Sequence, residues 1–322
     1  MKVSHVTLGD VRGLPDRRFD LAPAPSARPH DLVLVTGPPA SGKTRLLEAI
    51  VAAFEVVGPY VGIVRPHDWA YESRRSTIEL GLWLDEAERL VAPAVSSPAT
   101  AVATFSPDGV GAQVDRELGR LLARYRHDHE AGKREYFADN RQRAWGARID
   151  GTTPLEQSML RSSRDPHKYA FIPRFLHDLQ GDPGRGKAFA ERLASLSPTV
   201  RYAPEPGEDA TICFRSRAMP SVRGGAADGA GSAPLAPIHG LSASEADAVL
   251  IAATALMVGL SRSVVLFDSP ELYVPEDRIV AFVQALLVLG QDNQWVVATQ
   301  SPALCRAVDA SAIIHVEPRG AA

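Results

Sequence analysis

The residues with the clearest chemistry are Gly37-Pro-Pro-Ala-Ser-Gly42-Lys43-Thr44, which read G-x4-G-K-[ST]. An apolar, β-branched run, Asp31-Leu-Val-Leu-Val-Thr36, precedes them. The stretch from Thr44 to Val57 follows, with Leu46, Leu47, Ile50, Val51 and Phe54 at helical spacing. A glycine loop between a buried strand and a helix is a phosphate cradle. Gly37 and Gly42 let the backbone N–H groups of the loop, through Ala40 and Ser41, turn inward onto phosphate oxygens, and the positive end of the helix adds to them. Lys43 is placed to reach the β- and γ-phosphates, and Thr44 offers a hydroxyl to a Mg2+ that bridges them. A second acidic element stands at Val264-Val-Leu-Phe-Asp268, where a buried strand ends in a carboxylate that would hold Mg2+ through its water shell.

These groups need a frame, and the rest of the chain predicts an α/β one. Val3 to Leu8 and Arg18 to Leu21 read as a short hairpin ahead of the strand at Asp31–Thr36. Strand-like pieces lie between Thr77 and Phe105, and a mostly helical stretch is expected from Gln113 to Ser197. Residues 219–240, rich in Gly, Ala, Pro and Ser, read as a flexible linker in which disorder is expected. A helix from about Ala243, the strand at Ser263–Phe267, a helix opened by Pro275, and strands at Trp295–Ala298 and Ala312–Val316 complete the alternation. The expected organisation is 1–110 and 241–322 as two parts of one core, with 111–218 as an inserted helical lobe and 219–240 as the linker.

Three further motifs carry a resemblance. Leu241-Ser242-Ala243-Ser244-Glu245 resembles the LSGGE signature of ATP-binding-cassette (ABC) ATPases. Asp268-Ser-Pro-Glu271-Leu-Tyr273 is similar to that family's D-E-P-E-x-x-L segment, and Ala298-Thr-Gln300-Ser301-Pro302 to its A-T-H-S-P switch. The opening, through Arg12-Gly13, resembles the strand and F-R-G of the RecF, SMC and OLD branch. Tyr136-Phe-Ala-Asp-Asn-Arg141 resembles a Y-x-x-x-x-R element of OLD-like ATPases. The resemblance implies a P-loop NTPase of the ABC-ATPase head type, with a mixed sheet and an inserted helical lobe. It also implies ATP and Mg2+ as cofactors, and a homodimer in which two heads sandwich two ATP molecules. By that resemblance Ser242 and Glu245 would meet the nucleotide bound to the other copy, Arg12 would touch a phosphate, and Gln142 would contact the metal. Asp268, Glu271, Gln300 and Lys43 would be the catalytic set.

The departures from the family pattern bear on hydrolysis. The family's general base follows the strand-end Asp, and here that position is Ser269, which cannot take a proton from water at neutral pH. Gln300 replaces the switch histidine; a glutamine can still orient water or bond a phosphate. The expected function is therefore an ATP-dependent dimerising switch with slow turnover, and a non-hydrolysing nucleotide-binding scaffold is the alternative. Lys43 and Leu241 are 198 residues apart, a longer separation than transport ATPases of the family have, which disfavours a transporter subunit. No heptad run suggests long coiled-coil arms. No nuclease domain is expected after the last strand, so effector activity is expected in another chain, in phage defence or elsewhere.

The 322 residues carry a formal charge of −3 and only two cysteines, Cys213 and Cys305. That excludes a disulfide framework and predicts a reducing, cytoplasmic setting. No secretory signal and no membrane span are expected, because the uncharged stretch Ala248 to Ser261 falls short of the roughly 20 residues that a spanning helix needs. Residues 115–176 hold 13 basic and 9 acidic side chains, +4 against −7 elsewhere. This region reads either as solvated helix faces or, from Arg116 to Arg174, as a docking surface for an acidic partner, a protein effector in preference to DNA. His127-Asp128-His129 looks like a metal group but reads as a solvated helix face, because i, i+2 spacing points the imidazoles apart.

Overall fold

In the computed structural model, which describes residues 1–25, 27–58, 64–71, 74–127, 131–141, 164, 166–206, 212–217 and 234–318, the apolar run after Asp31 becomes a strand buried on both faces. In chain order the first elements are β1 (Lys2–Gly9), β2 (Arg18–Asp20), β3 (Leu32–Thr36), α1 (Lys43–Val57), β4 (Ser76–Trp83), α2 (Glu86–Val91), β5 (Ala99–Ser106), β6 (Gly109–Val114), α3 (Arg116–His127) and β7 (Arg134–Phe137). There follow α4 (Ile172–Asp178), α5 (Pro183–Leu196), β8 (Val200–Pro206), β9 (Ile212–Ser216), β10 (Leu235–Pro237) and α6 (Ala243–Val258). The chain ends with β11 (Val264–Asp268), α7 (Ile279–Leu287), β12 (Gln294–Ala298), α8 (Pro302–Ala307) and β13 (Ile313–His315).

Two compact units result. The first comprises Met1–Asp139, Leu260–Leu272 and Gly290–Ala322. Its parallel sheet has the order β13-β3-β12-β11-β7, and its antiparallel sheet the order β2-β1-β4-β5-β6. Burial on both faces explains why β11 and β12 read as uninterrupted apolar runs in place of an alternating pattern. Helix α1 packs on both sheets, so its buried set is wider than a single stripe: Ala49, Ala52 and Ala53 are buried along with Leu46, Leu47, Ile50 and Phe54. In the antiparallel sheet Gly81 faces His5, whose imidazole lies 2.0 Å from where a Cβ on residue 81 would stand. Only glycine fits there.

The parallel pairing brings the carboxyl ends of three strands to one edge. Asp268 pairs with Ala298, and Ala298 with Val35, so the segments that leave β11, β12 and β3 start side by side. In open α/β sheets this is the edge where ligands bind.

The second unit comprises Asn140–Gly259 and Tyr273–Leu289. A three-stranded antiparallel sheet, β10-β9-β8, lies with α4 to α7 around a ladder of rings formed by Phe171, Phe175, Phe189, Tyr202 and Phe214. Helix α6 has consecutive buried residues from Ala248 to Ala253, so it is enclosed on every side. Its Asp247 meets Arg141 in a bidentate pair, Nε to Oδ1 at 2.6 Å and Nη2 to Oδ2 at 3.0 Å, with both side chains buried and the guanidinium over the ring of Tyr273.

Three expectations change. The stretch from Gln113 is not simply helical: residue 113 lies in β6, and Arg134–Phe137 is the edge strand β7 of the parallel sheet. Four residues with two charges carry no strand signal of their own; the ring of Phe137 against Phe267, at 5.4 Å, shows what recruits them. The stretch expected as a helical lobe, 111–218, contains the strands β8 and β9 as well as helices. The end of the 219–240 segment is also ordered, because Leu235–Pro237 pairs with β9; residues 218–233 lie outside the described residues.

The buried pair supplies a test. Arg141→Ala strands the Asp247 carboxylate in an apolar surrounding and should destabilise the protein by about 3–5 kcal/mol in denaturant unfolding. Replacing both partners together, as Arg141→Met with Asp247→Leu, should recover most of that loss. An Arg141→Ala variant as stable as the parent would mean that Asp247 is not held as described.

Candidate functional site

The site is built on the edge where β3, β11 and β12 end. After β3 the chain turns through Gly37 (φ 151°), Ala40 (φ 60°) and Gly42 (φ 101°) before α1 begins at Lys43. A Cβ at residue 37 would lie 2.2 Å from the carbonyl oxygen of Val316, so this turn admits glycine alone. Gly42 is the N-cap of α1 and provides no side-chain acceptor, which leaves the first N–H groups of the helix facing the loop. Ser41 is buried, and its hydroxyl has no hydrogen-bond partner among the described residues. An uncapped helix start and an orphaned buried hydroxyl on one glycine loop fit a bound phosphate.

Lys43 lies across this loop. Its Nζ donates to the carbonyls of Gly37 (3.0 Å) and Pro38 (2.9 Å). Burial lowers its pKa, while the carboxylates of Glu271 and Asp268 pull the other way, which places both acids within electrostatic reach of the lysine. Thr44 begins the first turn beside it, half-buried.

Asp268 closes β11, almost wholly buried, and its Oδ1 accepts from the hydroxyl of Ser269 at 3.0 Å. Ser269 has a left-handed backbone (φ 52°) and donates its N–H to the carbonyl of Ala298, so the chain doubles back across the end of β12. Glu271 therefore reaches the segment after β12. Its Oε2 accepts from the Thr299 hydroxyl (2.9 Å) and its Oε1 from the Gln300 N–H (2.6 Å). Ser301 then caps α8 by accepting from the N–H of Leu304. Lys43, Asp268, Glu271 and Gln300, separated by up to 257 positions in the chain, are thus brought to one place.

Arg12 is exposed. Its N–H donates to Trp69 O and its Nη1 to His67 O, and it lines a cleft of about 630 Å³ with His67, Ala70, Tyr71 and Pro107. The segment that follows Arg12 approaches the glycine loop, with Gly13 O 3.5 Å from where a Cβ of Gly42 would be. What holds this segment in place has no signal in the sequence. Arg45 stacks on Trp69 (3.7 Å) and reaches the carbonyl of Arg12 from α1.

Ser242 and Glu245 belong to the second unit. They form a capping box at the start of α6: Ser242 Oγ accepts from the Glu245 N–H, and Glu245 Oε2 accepts from the Ser242 N–H (3.1 Å) and hydroxyl (2.9 Å). Glu245 is fully buried, and its other oxygen takes the hydroxyl of Ser216 at 2.7 Å. This arrangement differs from the expected one, in which Glu245 itself meets a nucleotide; here it orients Ser242, which is half-exposed. Gln142, Asp128 and His129 lie outside the described residues, as does the side chain of His127. Among the described residues no cluster of His, Cys, Asp and Glu is arranged to hold a metal ion by itself, so a cation here would need phosphate oxygens and water as further ligands.

No family model matches the chain, and no curated protein matches it. Solved structures do. The chain aligns over 98% of its length, and 95% of the other, with an SMC head bound to the C-terminal winged-helix domain of ScpA (TM-score 0.59, 14% identity). It aligns over 98%, and 94% of the other, with an SMC head with an extended coiled coil, bound to the C-terminal domain of ScpA from Pyrococcus furiosus (TM-score 0.55, 12% identity). The fold is that of an SMC head. In this ABC-type ATPase fold the loop at Gly37–Thr44, the strand end at Asp268 and the segment at Thr299–Ser301 share one sheet edge because β3, β11 and β12 are parallel neighbours.

The capping box yields a prediction. Glu245→Ala leaves the Ser216 and Ser242 hydroxyls without their acceptor and should cost about 1–3 kcal/mol in denaturant unfolding. Glu245→Gln, which keeps one acceptor oxygen, should cost less than half of that. Equal stability of all three proteins would exclude the capping role.

Proposed function

We propose that this chain is an ATP- and Mg2+-binding head that pairs with a second copy when ATP is bound and so controls a partner, an effector protein in preference to DNA, with slow or impaired hydrolysis. The observation that carries the reading is the set of groups at one sheet edge: the uncapped glycine loop with its orphaned Ser41 hydroxyl, and Lys43 within reach of Asp268 and Glu271. A triphosphate on the loop N–H groups would draw the Lys43 ammonium from the Gly37 and Pro38 carbonyls onto its oxygens. The cleft beside Arg12 offers room for the rest of the nucleotide. Thr44 and Asp268, with Gln142 from outside the described residues, would hold Mg2+, which neutralises phosphate charge when bound.

Ser269 supports slow turnover. Its hydroxyl is spent on Asp268, and it stands where a base would be expected. The same observation favours a second reading, a nucleotide-binding scaffold that never turns over. The likeness to SMC heads bound to ScpA supports a protein partner. The +4 balance of residues 115–176 supports an acidic one.

Lys43→Ala should weaken ATP·Mg2+ binding at least tenfold in calorimetry, and an unchanged affinity would defeat the nucleotide assignment. Light scattering of the parent should register ATP-dependent dimers that Ser242→Arg abolishes; a variant that pairs as readily as the parent would remove the signature from the interface. Phosphate release separates the two readings. General-base catalysis contributes about 10²–10⁴-fold, so Ser269→Glu should accelerate turnover if the protein is a slow enzyme and leave it at background if it is a scaffold.

A further inference from the structure

We infer that Glu271 is a positioning residue, a latch that sets the place of Gln300, and not the acceptor of a proton from water. Its purpose rests on the nucleotide-site reading above; its geometry does not. Both carboxylate oxygens are committed to the turn that follows β12, one to the Thr299 hydroxyl at 2.9 Å and one to the Gln300 N–H at 2.6 Å. Hydrogen bonds to an ionised acceptor are short and about twice as strong as neutral ones, so a single side chain fixes two successive residues.

The connection runs further. Thr299 is fully buried, and its Oγ1, while donating to Glu271, accepts the N–H of Ser301 at 3.0 Å. Ser301 is also buried and caps α8. Glu271, Thr299, Ser301 and the start of α8 therefore form one hydrogen-bonded relay, with the exposed side chain of Gln300 projecting from its middle. This turn has to be held from outside the strand. β12 ends at Ala298, and beyond it the N–H groups of Gln300 and Ser301 take their hydrogens to side chains, Glu271 Oε1 and Thr299 Oγ1. The left-handed turn at Ser269 is what lets a residue three positions past Asp268 reach there.

The two roles call for different chemistry at position 271. A latch needs an acceptor for the Gln300 N–H and a partner for the Thr299 hydroxyl. Glutamine supplies both, its Oε1 accepting from the N–H and its Nε2 donating to Oγ1. A proton acceptor needs a carboxylate, and glutamine cannot serve.

The experiment is hydrogen exchange at the Gln300 amide of the full chain without nucleotide, read together with phosphate release. Glu271→Ala should speed Gln300 exchange about 10–100-fold, the range expected for losing a hydrogen bond to a charged group. Glu271→Gln, which keeps an acceptor for the Gln300 N–H, should leave that exchange within about threefold of the parent. Thr299→Val removes one arm of the relay and should give an intermediate acceleration, which keeps the test available if the alanine variant does not fold. Unchanged Gln300 exchange in Glu271→Ala, or in Thr299→Val where the alanine variant is unfolded, overturns the latch. So does parent-like exchange in Glu271→Gln with phosphate release lowered a hundredfold or more, the signature of a lost base. If the parent binds no ATP, the nucleotide-site reading fails while the exchange result still decides the latch.

Discussion

The candidate site hangs on the parallel pairing of β3, β12 and β11. Parallel strands start their outgoing loops at the same edge, whatever their separation in the chain, so a glycine loop near residue 40 and a carboxylate at 268 become neighbours. Shifting β12 by one residue would turn Val297 and Ala298 to the opposite faces and move Thr299 away from Glu271. The burial of both faces of these strands makes that register expensive to change, because every residue from Val264 to Asp268 and from Gln294 to Ala298 is buried.

In each unit, acidic side chains are held by several donors at once. Glu245 has three donors, Asp247 has the two-pronged grip of Arg141, and Glu271 has two donors from one turn. A buried carboxylate such as that of Glu245 or Asp247 is costly unless it is paired, and all three acids tie together segments distant in sequence: β9 with α6, residue 141 with α6, and the end of β11 with the end of β12. Their contribution is to conformational definition as much as to stability. Half-exposed Ser242 and exposed Gln300 are each held in one backbone geometry by a neighbouring acid.

The glycine loop, the strands at 32–36, 264–268 and 294–298, and helix α1 were legible because their residue types meet a local requirement. The loop needs positive φ at Gly37 and Gly42, the strands need apolar β-branched residues, and α1 needs apolar groups at helical spacing. Strand β7 was not legible, since four residues flanked by charge have no period, and their strand character comes from pairing with β11. The capping role of Ser242 and Glu245 was half legible. Ser242 followed three residues later by Glu245 is a capping box by sequence alone, but burial of the glutamate against Ser216 depends on β9, which lies before a long stretch of Gly, Ala and Pro.

By itself the sequence determined the chemistry on offer: a phosphate cradle, an acidic strand end, a serine where a base is expected, and a glutamine in place of a histidine. The first two follow from side-chain identity and short-range spacing and the last two from the resemblance, and none needs a fold to be read. Only the tertiary structure decided which acid faces which partner. The resemblance alone placed Glu271 in the catalytic set. Its engagement by Thr299 and Gln300 arises from a left-handed turn at Ser269 and from two strands paired across 25 intervening residues. Local sequence holds no record of such contacts, because the energy that selects them is released only when the sheet closes and water leaves its edge.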